Sequence, residues 1–312
     1  MSVMIETQNL GRHFGPIKAV DGISFQLSKG EVLGFLGPNG AGKSTTMKML
    51  SCFLTPSFGS AKVGGYDVVT QSREVRSLLG YLPENAPLYG EMEVLDFLRF
   101  VGEVRGLASA KLQDALERVV GLTSLEAVVC QRIETLSKGF KRRVGLAQAL
   151  IHDPEILILD EPTDGLDPNQ KHEVRSLINS MARDKSIILS THILEEVDAV
   201  CTRAIIIAEG KIVADDAPEL LKRRSSAYGA VVLTFQKPPA DNFAGVLSSL
   251  PGVREVREEQ FAGHKTSYIL LPQPGANLLP VVVRESEAQK WPLTDLRMET
   301  GQLDQVFRDL TQ

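Results

Sequence analysis

The stretch "GPNGAGKST", residues 37–45, contains three glycines, one lysine and two hydroxyl side chains. It directly follows the apolar run "EVLGFL", residues 31–36. Glycine loses more backbone entropy on ordering than any other residue, so this cluster is expected where the chain turns sharply or approaches a ligand closely. The spacing fits G-x-x-x-x-G-K-[ST] between a predicted strand and a predicted helix of residues 42–53. In that context main-chain amides converge on phosphate oxygens, and the helix N-terminus adds positive charge. The stretch therefore predicts a phosphate-binding loop.

The predicted loop gives a role to two side chains. Lys43 is expected to reach the β- and γ-phosphates of a nucleotide, and the Ser44 hydroxyl is expected to ligate magnesium. A glycine-rich turn that merely resembles the pattern is the alternative, which the strand–loop–helix context disfavours. The loop residues predicted to bind the nucleotide are Gly37, Pro38, Asn39, Gly40, Ala41, Gly42, Lys43, Ser44 and Thr45.

Two adjacent carboxylates, Asp160 and Glu161, follow a second apolar run in "ILILDEPTDGLDP", residues 156–168. Ligands bind beyond the carboxyl ends of strands in open parallel sheets, so both groups are expected near the nucleotide. Asp160 is predicted to hold the water shell of magnesium, and Glu161 to polarise the water that attacks the γ-phosphate. A structural pair of surface carboxylates is the alternative, although an apolar strand rarely ends in two acids without a nearby cation.

Length, charge and cysteine content limit the class of protein. A chain of 312 residues can bury a sizeable core and is expected to hold two domains. The formal net charge of -5 provides no basic field for non-specific nucleic-acid binding, so no nucleic-acid partner is expected. The three cysteines are widely separated, which predicts reduced thiols. Neither a signal peptide nor an apolar run of about 18 residues occurs, so a membrane role is expected to need a partner.

The first domain is predicted over residues 1–225 as an α/β fold. Residues 1–28 partly alternate apolar and polar positions, which predicts an antiparallel β subdomain. The runs "EILILDE" and "SIILSTH" lack alternation, which suits a core of parallel strands covered on both faces. Residues 92–151 instead carry helical periodicity, so a helical subdomain is predicted at about residues 85–152.

The second domain is predicted over residues 226–312. The stretch "LLKRRSS", near residues 220–226, is interpreted as the end of a helix and a linker with a solvated basic face. Beyond it, strand and helix patterns follow the order βαββαβα, with helices near residues 243–250 and 278–290. This order suits a small ferredoxin-like α+β accessory domain. The domain carries no chemical motif, so regulation or a second dimer contact is the only expectation for it.

The segment "LSKGFKRRVGLAQAL", residues 136–150, precedes the paired carboxylates at the spacing found in ABC-type ATPases. The chain resembles an ABC transporter ATP-binding subunit over about residues 3–225, which implies the P-loop NTPase fold of an ABC cassette. The stretches "YLPENAPLY" and "LDQVFRDLT" are most similar to ABC-2-type exporters, including the gliding-motility-like branch. The resemblance therefore implies ATP and Mg2+ as cofactors and ATP hydrolysis as the activity.

The resemblance also implies that Ser137 and Gly139 form a signature loop that contacts the γ-phosphate bound by another protomer. Hydrolysis would then need a homodimer, or a heterodimer with a related cassette. The usual signature is LSGGQ, so Lys138 and Phe140 are departures, while the serine and the second glycine are kept. Both kept residues begin a predicted helix whose N-terminus could face an anion.

Three further residues match positions of the family. Phe14 in "RHFG" matches the aromatic residue that stacks on adenine, with core packing as the alternative. His192 in "STH" matches the switch histidine that contacts the γ-phosphate, with a structural histidine as the alternative. Asp167 matches the loop that bridges two protomers.

Glu84 departs from the family, because "YLPE" stands where a glutamine-containing segment is usual. A carboxylate can ligate the same metal as the amide oxygen, but it loses the donor and adds negative charge beside the triphosphate. The hypothesis is that Glu84 keeps the metal contact and reports the nucleotide state to the helical subdomain. Glu84→Gln is then expected to leave ATP binding roughly unchanged.

The predicted function is coupling of Mg-ATP-driven dimer closure to transport through separate integral membrane permease subunits. The catalytic residues would be Glu161, His192, Lys43 and Glu84, and the metal ligands Ser44, Glu84 and Asp160. The stretch "NAPLYGEMEV", residues 85–94, is the candidate contact with the permease, with an ordinary loop as the alternative. The expected location is cytoplasmic, peripheral on the cytoplasmic face of the cell membrane. The alternatives are a soluble ABC ATPase acting on ribosomes or DNA, and a regulatory ATP-binding module.

Overall fold

The structure is a computed structural model that describes residues 2–240, 242–261 and 265–311. The chain forms two compact units, of which the first ends at Pro218 and the second runs from Glu219 to Leu310. The change of unit therefore precedes the expected boundary at residue 225. The segment interpreted as a linker is part of the second unit, because Leu221 is fully buried and Ser225 donates a 2.8 Å hydrogen bond to Gln305.

An antiparallel sheet of four strands forms one layer of the first unit, as the alternating pattern predicts. Its strand order is β2-β1-β4-β5. The two long strands alternate buried and exposed positions over much of their length, with Ile5, Thr7 and Leu10 turned to the core. The strands are β1 (Val3–Phe14), β2 (Ile17–Ser28), β4 (Phe58–Val63) and β5 (Tyr66–Asp67).

A six-stranded sheet forms the centre of the first unit. The strands are β3 (Val32–Leu36), β6 (Leu79–Leu82), β7 (Ile156–Asp160), β8 (Ser186–Thr191), β9 (Arg203–Ala208) and β10 (Lys211–Asp216). They lie in the order β10-β9-β3-β8-β7-β6, and all pairs are parallel except β9 with β10. Every residue of β3, β7 and β8 is buried, which explains their continuous apolar runs.

Strand register brings the candidate groups together. Leu36, the last residue of β3, pairs with Thr191, and Asp160, the last residue of β7, pairs with Ser190. The carboxyl ends of β3, β7 and β8 therefore meet at one edge of the sheet. This is the edge at which open parallel sheets bind ligands.

Helices connect and cover the strands of the first unit. They are α1 (Lys43–Leu50), α2 (Ser72–Leu78), α3 (Val94–Val104), α4 (Ser109–Leu122), α5 (Lys138–Leu150), α6 (Pro168–Met181) and α7 (Leu194–Val200), with short 3-10 helices at Glu126–Val128 and Ile133–Thr135. The chain between β6 and β7 is thus helical, with one isolated bridge between Glu93 and Arg132. Leu112, Leu116 and Val119 pack there at helical spacing in one buried cluster.

The first helix ends before the predicted residue 53. Cys52 adopts a left-handed backbone with φ 61°, and the amides of Phe53 and Leu54 both donate to the carbonyl of Lys48. This local hydrogen bonding terminates α1 without a glycine.

The second unit begins within helix α8 (Pro218–Lys222) and has the predicted βαββαβα order. The elements are β11 (Val231–Phe235), α9 (Phe243–Ser248), β12 (Val253–Phe261), β13 (Lys265–Pro272), α10 (Leu279–Ala288), β14 (Leu293–Met298) and α11 (Leu303–Thr311). The four strands form an antiparallel sheet in the order β12-β13-β11-β14. Its core is aromatic, with the ring of Phe243 5.0 Å from Phe235 and 5.1 Å from Trp291 between centroids. In the described part of the chain, every helix is too short or too polar to traverse a bilayer.

Candidate functional site

The loop of residues 37–42 connects β3 to α1 and needs its glycines for steric reasons. Gly40 and Gly42 have φ angles of 82° and 108°, which side-chain-bearing residues rarely adopt. A Cβ atom on Gly42 would collide with the carbonyl oxygen of Ala19, and one on Gly37 would collide with that of Ile207. The loss of backbone entropy at these glycines is therefore explained, because the backbone turns there and neighbouring chain approaches closely.

Lys43 begins α1 and is buried beneath this loop. Its Nζ atom donates hydrogen bonds to the carbonyl oxygens of Gly37, at 2.7 Å, and of Pro38, at 3.2 Å. Burial lowers the pKa of the Lys43 ammonium, while nearby carboxylates, Glu161 first, act in the opposite direction. The ammonium is thus held inside the loop, where its charge favours an anion.

The oxygen atoms that could hold a cation lie where α1 meets the end of β7. The Ser44 hydroxyl donates to Asp160 Oδ1 at 3.3 Å, and the Ser190 hydroxyl donates to the same oxygen. Hydroxyl and carboxylate oxygens are the ligands that Mg2+ prefers. The described residues include no cluster of three or more His, Cys, Asp or Glu side chains that could hold a metal alone. The donor set fits a magnesium ion that takes its other ligands from water and phosphate.

Glu161 and His192 face each other across the ends of β7 and β8. Nδ1 of His192 lies 2.8 Å from Oε2 of Glu161, and the Glu161 side chain is 12% exposed. Burial raises the pKa of the Glu161 carboxyl, whereas the hydrogen bond and charge of His192 lower it. The Glu161 backbone is left-handed, with φ 51°, and its amide donates to the carbonyl and the hydroxyl of Ser190. Strained backbone of this kind clusters at active sites.

A cavity of ≈ 410 Å³ is lined by Lys43, Ser44, Glu161 and His192, but not by Asp160. Glu84, on the segment that follows β6, lines it as well. Asp164 also lines it and was not among the predicted residues. The complete lining is Asn39, Gly40, Gly42, Lys43, Ser44, Thr45, Glu84, Glu161, Asp164 and His192.

Six residues predicted to bind the nucleotide lie outside this lining: Gly37, Pro38 and Ala41 of the loop, and Phe14, Ser137 and Gly139. Phe14 is 43% exposed, and the guanidinium carbon of Arg12 lies 4.7 Å from its ring centroid. The Ser137 hydroxyl accepts a 3.3 Å hydrogen bond from the Phe140 amide and so caps α5. Gly139 is buried on the first turn of α5. Their roles toward a nucleotide remain predictions.

The loop predicted to bridge protomers lies beside the signature segment of the same chain. Asp167 caps α6, because its side chain accepts a 3.0 Å hydrogen bond from the amide of Gln170. Lys138 forms a 2.9 Å ion pair with Asp164. The lysine that departs from the family signature therefore has a partner within its own chain.

Three residues that the sequence interpretation missed organise the site. Ser190 bonds both Asp160 and the Glu161 amide, and Arg142 donates to the carbonyls of both acids. Glu196 is 1% exposed and accepts hydrogen bonds from Thr191 and Thr163. Ser190 could have been noticed as a hydroxyl within a buried apolar run, whereas Arg142 and Glu196 leave no such signal.

A glycine loop, a buried lysine and paired carboxylates at the ends of parallel strands define a P-loop nucleotide-binding protein. A family model described as ABC transporter matches residues 20–164, and one described as AAA domain, putative AbiEii toxin, Type IV TA system, matches residues 131–198.

Curated relatives are named as ABC transporter or export ATP-binding proteins, in agreement with the family model described as ABC transporter. The chain is 38% identical to the probable multidrug ABC transporter ATP-binding protein YbhF of Escherichia coli K12, over 72% of this chain but only 39% of that protein. It is 37% identical to the Nod factor export ATP-binding protein I of Paraburkholderia xenovorans, over 70% of this chain and 72% of that protein. The Nod factor export ATP-binding protein I of Burkholderia lata is 34% identical, over 86% of this chain and 87% of that protein.

Solved structures share the fold of the first unit. An ATP-binding subunit of an ABC transporter superposes with a TM-score of 0.66 at 28% identity, over 71% of this chain and 92% of that one. CbiO1 from Clostridium perfringens, part of the ABC transporter complex cbiONQ, superposes with a TM-score of 0.65 at 25% identity. The match covers 72% of this chain and 92% of that one. The chain belongs to the family of ABC transporter ATP-binding proteins, whose cassette binds ATP.

Proposed function

We propose that the protein hydrolyses ATP with magnesium as the ATP-binding subunit of an ABC-2-type exporter. One observation carries the proposal: Lys43, Ser44, Glu84, Glu161 and His192 line a single cavity at the strand ends. The exporter class is supported by the relatives, since two of them are named for Nod factor export and one for multidrug transport. The finer placement in a gliding-motility-like branch stays a prediction.

The phosphate side of the site would use main-chain amides, the Lys43 ammonium and three oxygen ligands for magnesium. In this proposal the loop amides and Lys43 hold the β- and γ-phosphates. Ser44, Asp160 and Glu84 would hold magnesium, which neutralises charge on the phosphate oxygens when bound. Glu84 thus takes the place that glutamine has in the family, with a stronger metal interaction but without the N–H donors of the amide.

The water side would use the Glu161–His192 pair. Glu161 accepts a proton from the attacking water, a role helped by burial, which raises its pKa toward the range of a useful base. His192 orients the carboxylate through their 2.8 Å contact and can donate to the γ-phosphate from its other nitrogen. Deprotonated Glu161 is the form that takes the proton, so turnover should fall as this carboxylate becomes protonated.

A second cassette would complete the site. ABC cassettes dimerise, and Ser137 and Gly139 do not line the cavity of their own chain. We propose that both residues contact the γ-phosphate held by a partner cassette, either identical or related, and that Phe14 stacks on the adenine. The exposed face of Phe14 leaves room for such a contact.

A membrane subunit would dock beside the segment of residues 85–94. A cleft of ≈ 450 Å³ adjoins this segment and includes the exposed ring of Phe53. Tyr89 is 56% exposed and packs on Phe97 and Phe100. An exposed aromatic patch suits a partner surface, and we propose a cytoplasmic helix of a permease as its occupant, which would place the protein on the cytoplasmic face of the membrane. Failure of Tyr89 and Met92 to cross-link to the reconstituted permease would count against this surface.

The second unit is proposed to be a ferredoxin-like accessory domain. Its βαββαβα order and its antiparallel strand order β12-β13-β11-β14 support that fold. Regulation or a second dimer contact is the proposed task. The ATP-binding domain would then comprise the residues before this unit.

The test of the proposed function is Glu161→Gln. Because the amide keeps the shape of the side chain but cannot take a proton, kcat should fall by about 100-fold or more while ATP binding persists. The measurements are phosphate release, ATP affinity by equilibrium titration, and mass by light scattering with ATP and magnesium. The variant should accumulate as an ATP-bound dimer. A binding-only module would give wild-type behaviour in all three, and this outcome would refute the enzymatic proposal.

A further inference from the structure

Arg142 lies on the second turn of α5, and its guanidinium donates hydrogen bonds to main-chain oxygens of other segments. Its side chain is buried, with the residue 8% exposed. The guanidinium group has five N–H donors in a rigid fork. Five carbonyl groups accept from it: Pro162 from Nε at 3.3 Å, Pro83 and Glu84 from Nη1 at 2.9 and 2.6 Å, and Asp160 and Glu161 from Nη2. Every donor therefore has a separate acceptor.

These acceptors belong to two segments of the candidate site. Pro83 and Glu84 follow β6, whereas Asp160, Glu161 and Pro162 form the end of β7 and the turn after it. No carboxylate among the described residues lies within ion-pair distance of this guanidinium. Burial lowers the pKa of Arg142, and the surrounding carboxylates, Asp160 first, act in the opposite direction. The side chain thus fixes backbone positions and does not neutralise an acid directly.

The hydrogen bond from Arg142 to the Glu161 carbonyl holds a residue whose backbone is strained. Its φ angle of 51° places it in the left-handed region, which costs free energy for a residue with a side chain. Ser190 holds the Glu161 amide, and Arg142 holds the Glu161 carbonyl. Both polar groups of this peptide segment are therefore held, one by β8 and the other by α5.

We propose that Arg142 is a positioning residue for ATP hydrolysis: it fixes the Glu84 backbone and the Glu161 backbone relative to each other and to α5. The inference rests on the proposed function, since it concerns the same reaction. Arg142 is not among the residues that line the cavity. Because Ser137 caps the N-terminus of the same helix, a displacement of the signature loop is transmitted through Arg142 to both acids.

Arg142→Lys is the main test, because lysine keeps the charge but has only three donors at one atom and cannot reproduce the fork. Arg142→Gln removes the charge as well. A displacement of about 1 Å at reacting groups can cost about 100-fold in rate, so we expect kcat to fall by about 10- to 100-fold in both variants. ATP affinity should stay within about threefold, and half-maximal activity should need more Mg2+, because the Glu84 and Asp160 segments are no longer fixed.

Arg118→Gln is the matched control. This arginine also donates to two main-chain carbonyls, those of Leu150 and Ile151, at the other end of α5. It lies away from the cavity, so its loss should lower the melting temperature slightly without changing the Mg2+ requirement. A merely structural role of Arg142 would produce the same pattern as this control.

The outcomes separate this inference from the proposed function. Wild-type protein without ATPase activity refutes the proposed function and the inference with it. Active wild type with an Arg142→Lys variant of equal kcat and equal Mg2+ requirement refutes the inference alone. Parallel loss of ATP binding, or failure of both Arg142 variants to fold, would show that Arg142 supports the fold and not the reaction geometry.

Discussion

The two units of the chain differ in what they bury. Among the described residues, the charged side chains that are less than a tenth exposed all belong to the first unit: Lys43, Arg142, Asp160 and Glu196. In the described part of the second unit, the buried polar side chains of this kind carry hydroxyls: Ser225, Thr266, Ser267 and Ser286. Burying a charge is costly unless it is paired or hydrogen-bonded, so a unit that keeps four of them needs a compensating arrangement.

That arrangement is the candidate site itself. Lys43 is bonded to loop carbonyls, Arg142 to five carbonyls and Asp160 to two hydroxyls. Apolar side chains packed around Phe235 and Phe243 form the core of the second unit. The described buried charges therefore lie in the unit that carries the candidate site, and substitutions in the described part of the second unit leave them untouched.

The largest effect should come from Lys43→Ala. This substitution removes the cation that would contact two phosphates, and a charge-assisted hydrogen bond contributes about 1.5–3 kcal/mol, so ATP affinity should fall by about 100-fold or more. Equilibrium titration with a fluorescent ATP analogue measures it. Lys48→Ala, on the same helix but outside the cavity lining, is the control and should bind normally. Equal affinity of the Lys43 variant and wild type would remove the basis for assigning phosphate binding to the loop.

A smaller effect should follow from His192→Ala. Burial raises the pKa of Glu161 and His192 opposes this rise, so without His192 the carboxyl becomes protonated at a higher pH. Because the deprotonated form is the base, turnover is lost as pH falls through this pKa, and the acidic limb of the kcat profile should move to higher pH.

The same substitution should also lower the plateau of the pH profile. The kcat at the plateau should fall by about tenfold, through loss of the contact that orients the carboxylate. His172→Ala, on the exposed part of α6, should leave the profile in place. An acidic limb that stays where it is, or moves to lower pH, would show that His192 does not act on Glu161.

The parts of the site that the sequence predicted are those with a local signal. The loop of residues 37–45 was predictable because its glycines are required by positive φ angles and close backbone approach at fixed spacing. The carboxylates after β7 were predictable because an apolar strand ends there. The βαββαβα order of the second unit likewise followed from changes in periodicity.

The parts that escaped depend on how distant segments pair. The Ser190–Asp160 contact requires the register of β8 beside β7, and the five bonds of Arg142 require the orientation of α5 toward two loops. The change of unit lies at Pro218, before the predicted boundary at residue 225, and the basic run "LLKRRSS" gives no sign that Leu221 is buried. Sequence spacing does not encode such long-range contacts.

The smallest effect on ATP binding should come from Phe235→Ala in the second unit. Phe235 is fully buried and its ring lies 5.0 Å from that of Phe243, so truncation leaves a cavity that costs about 3–5 kcal/mol of the stability of this unit. Thermal unfolding should show an earlier transition, whereas ATP affinity should stay within about twofold of wild type, because the buried charges of the site are untouched. Val246→Ala, at an exposed position of α9, is the control and should change neither quantity. A large loss of ATP affinity in the Phe235 variant would contradict the contrast between the units, since it would require that the second unit supports the nucleotide site directly.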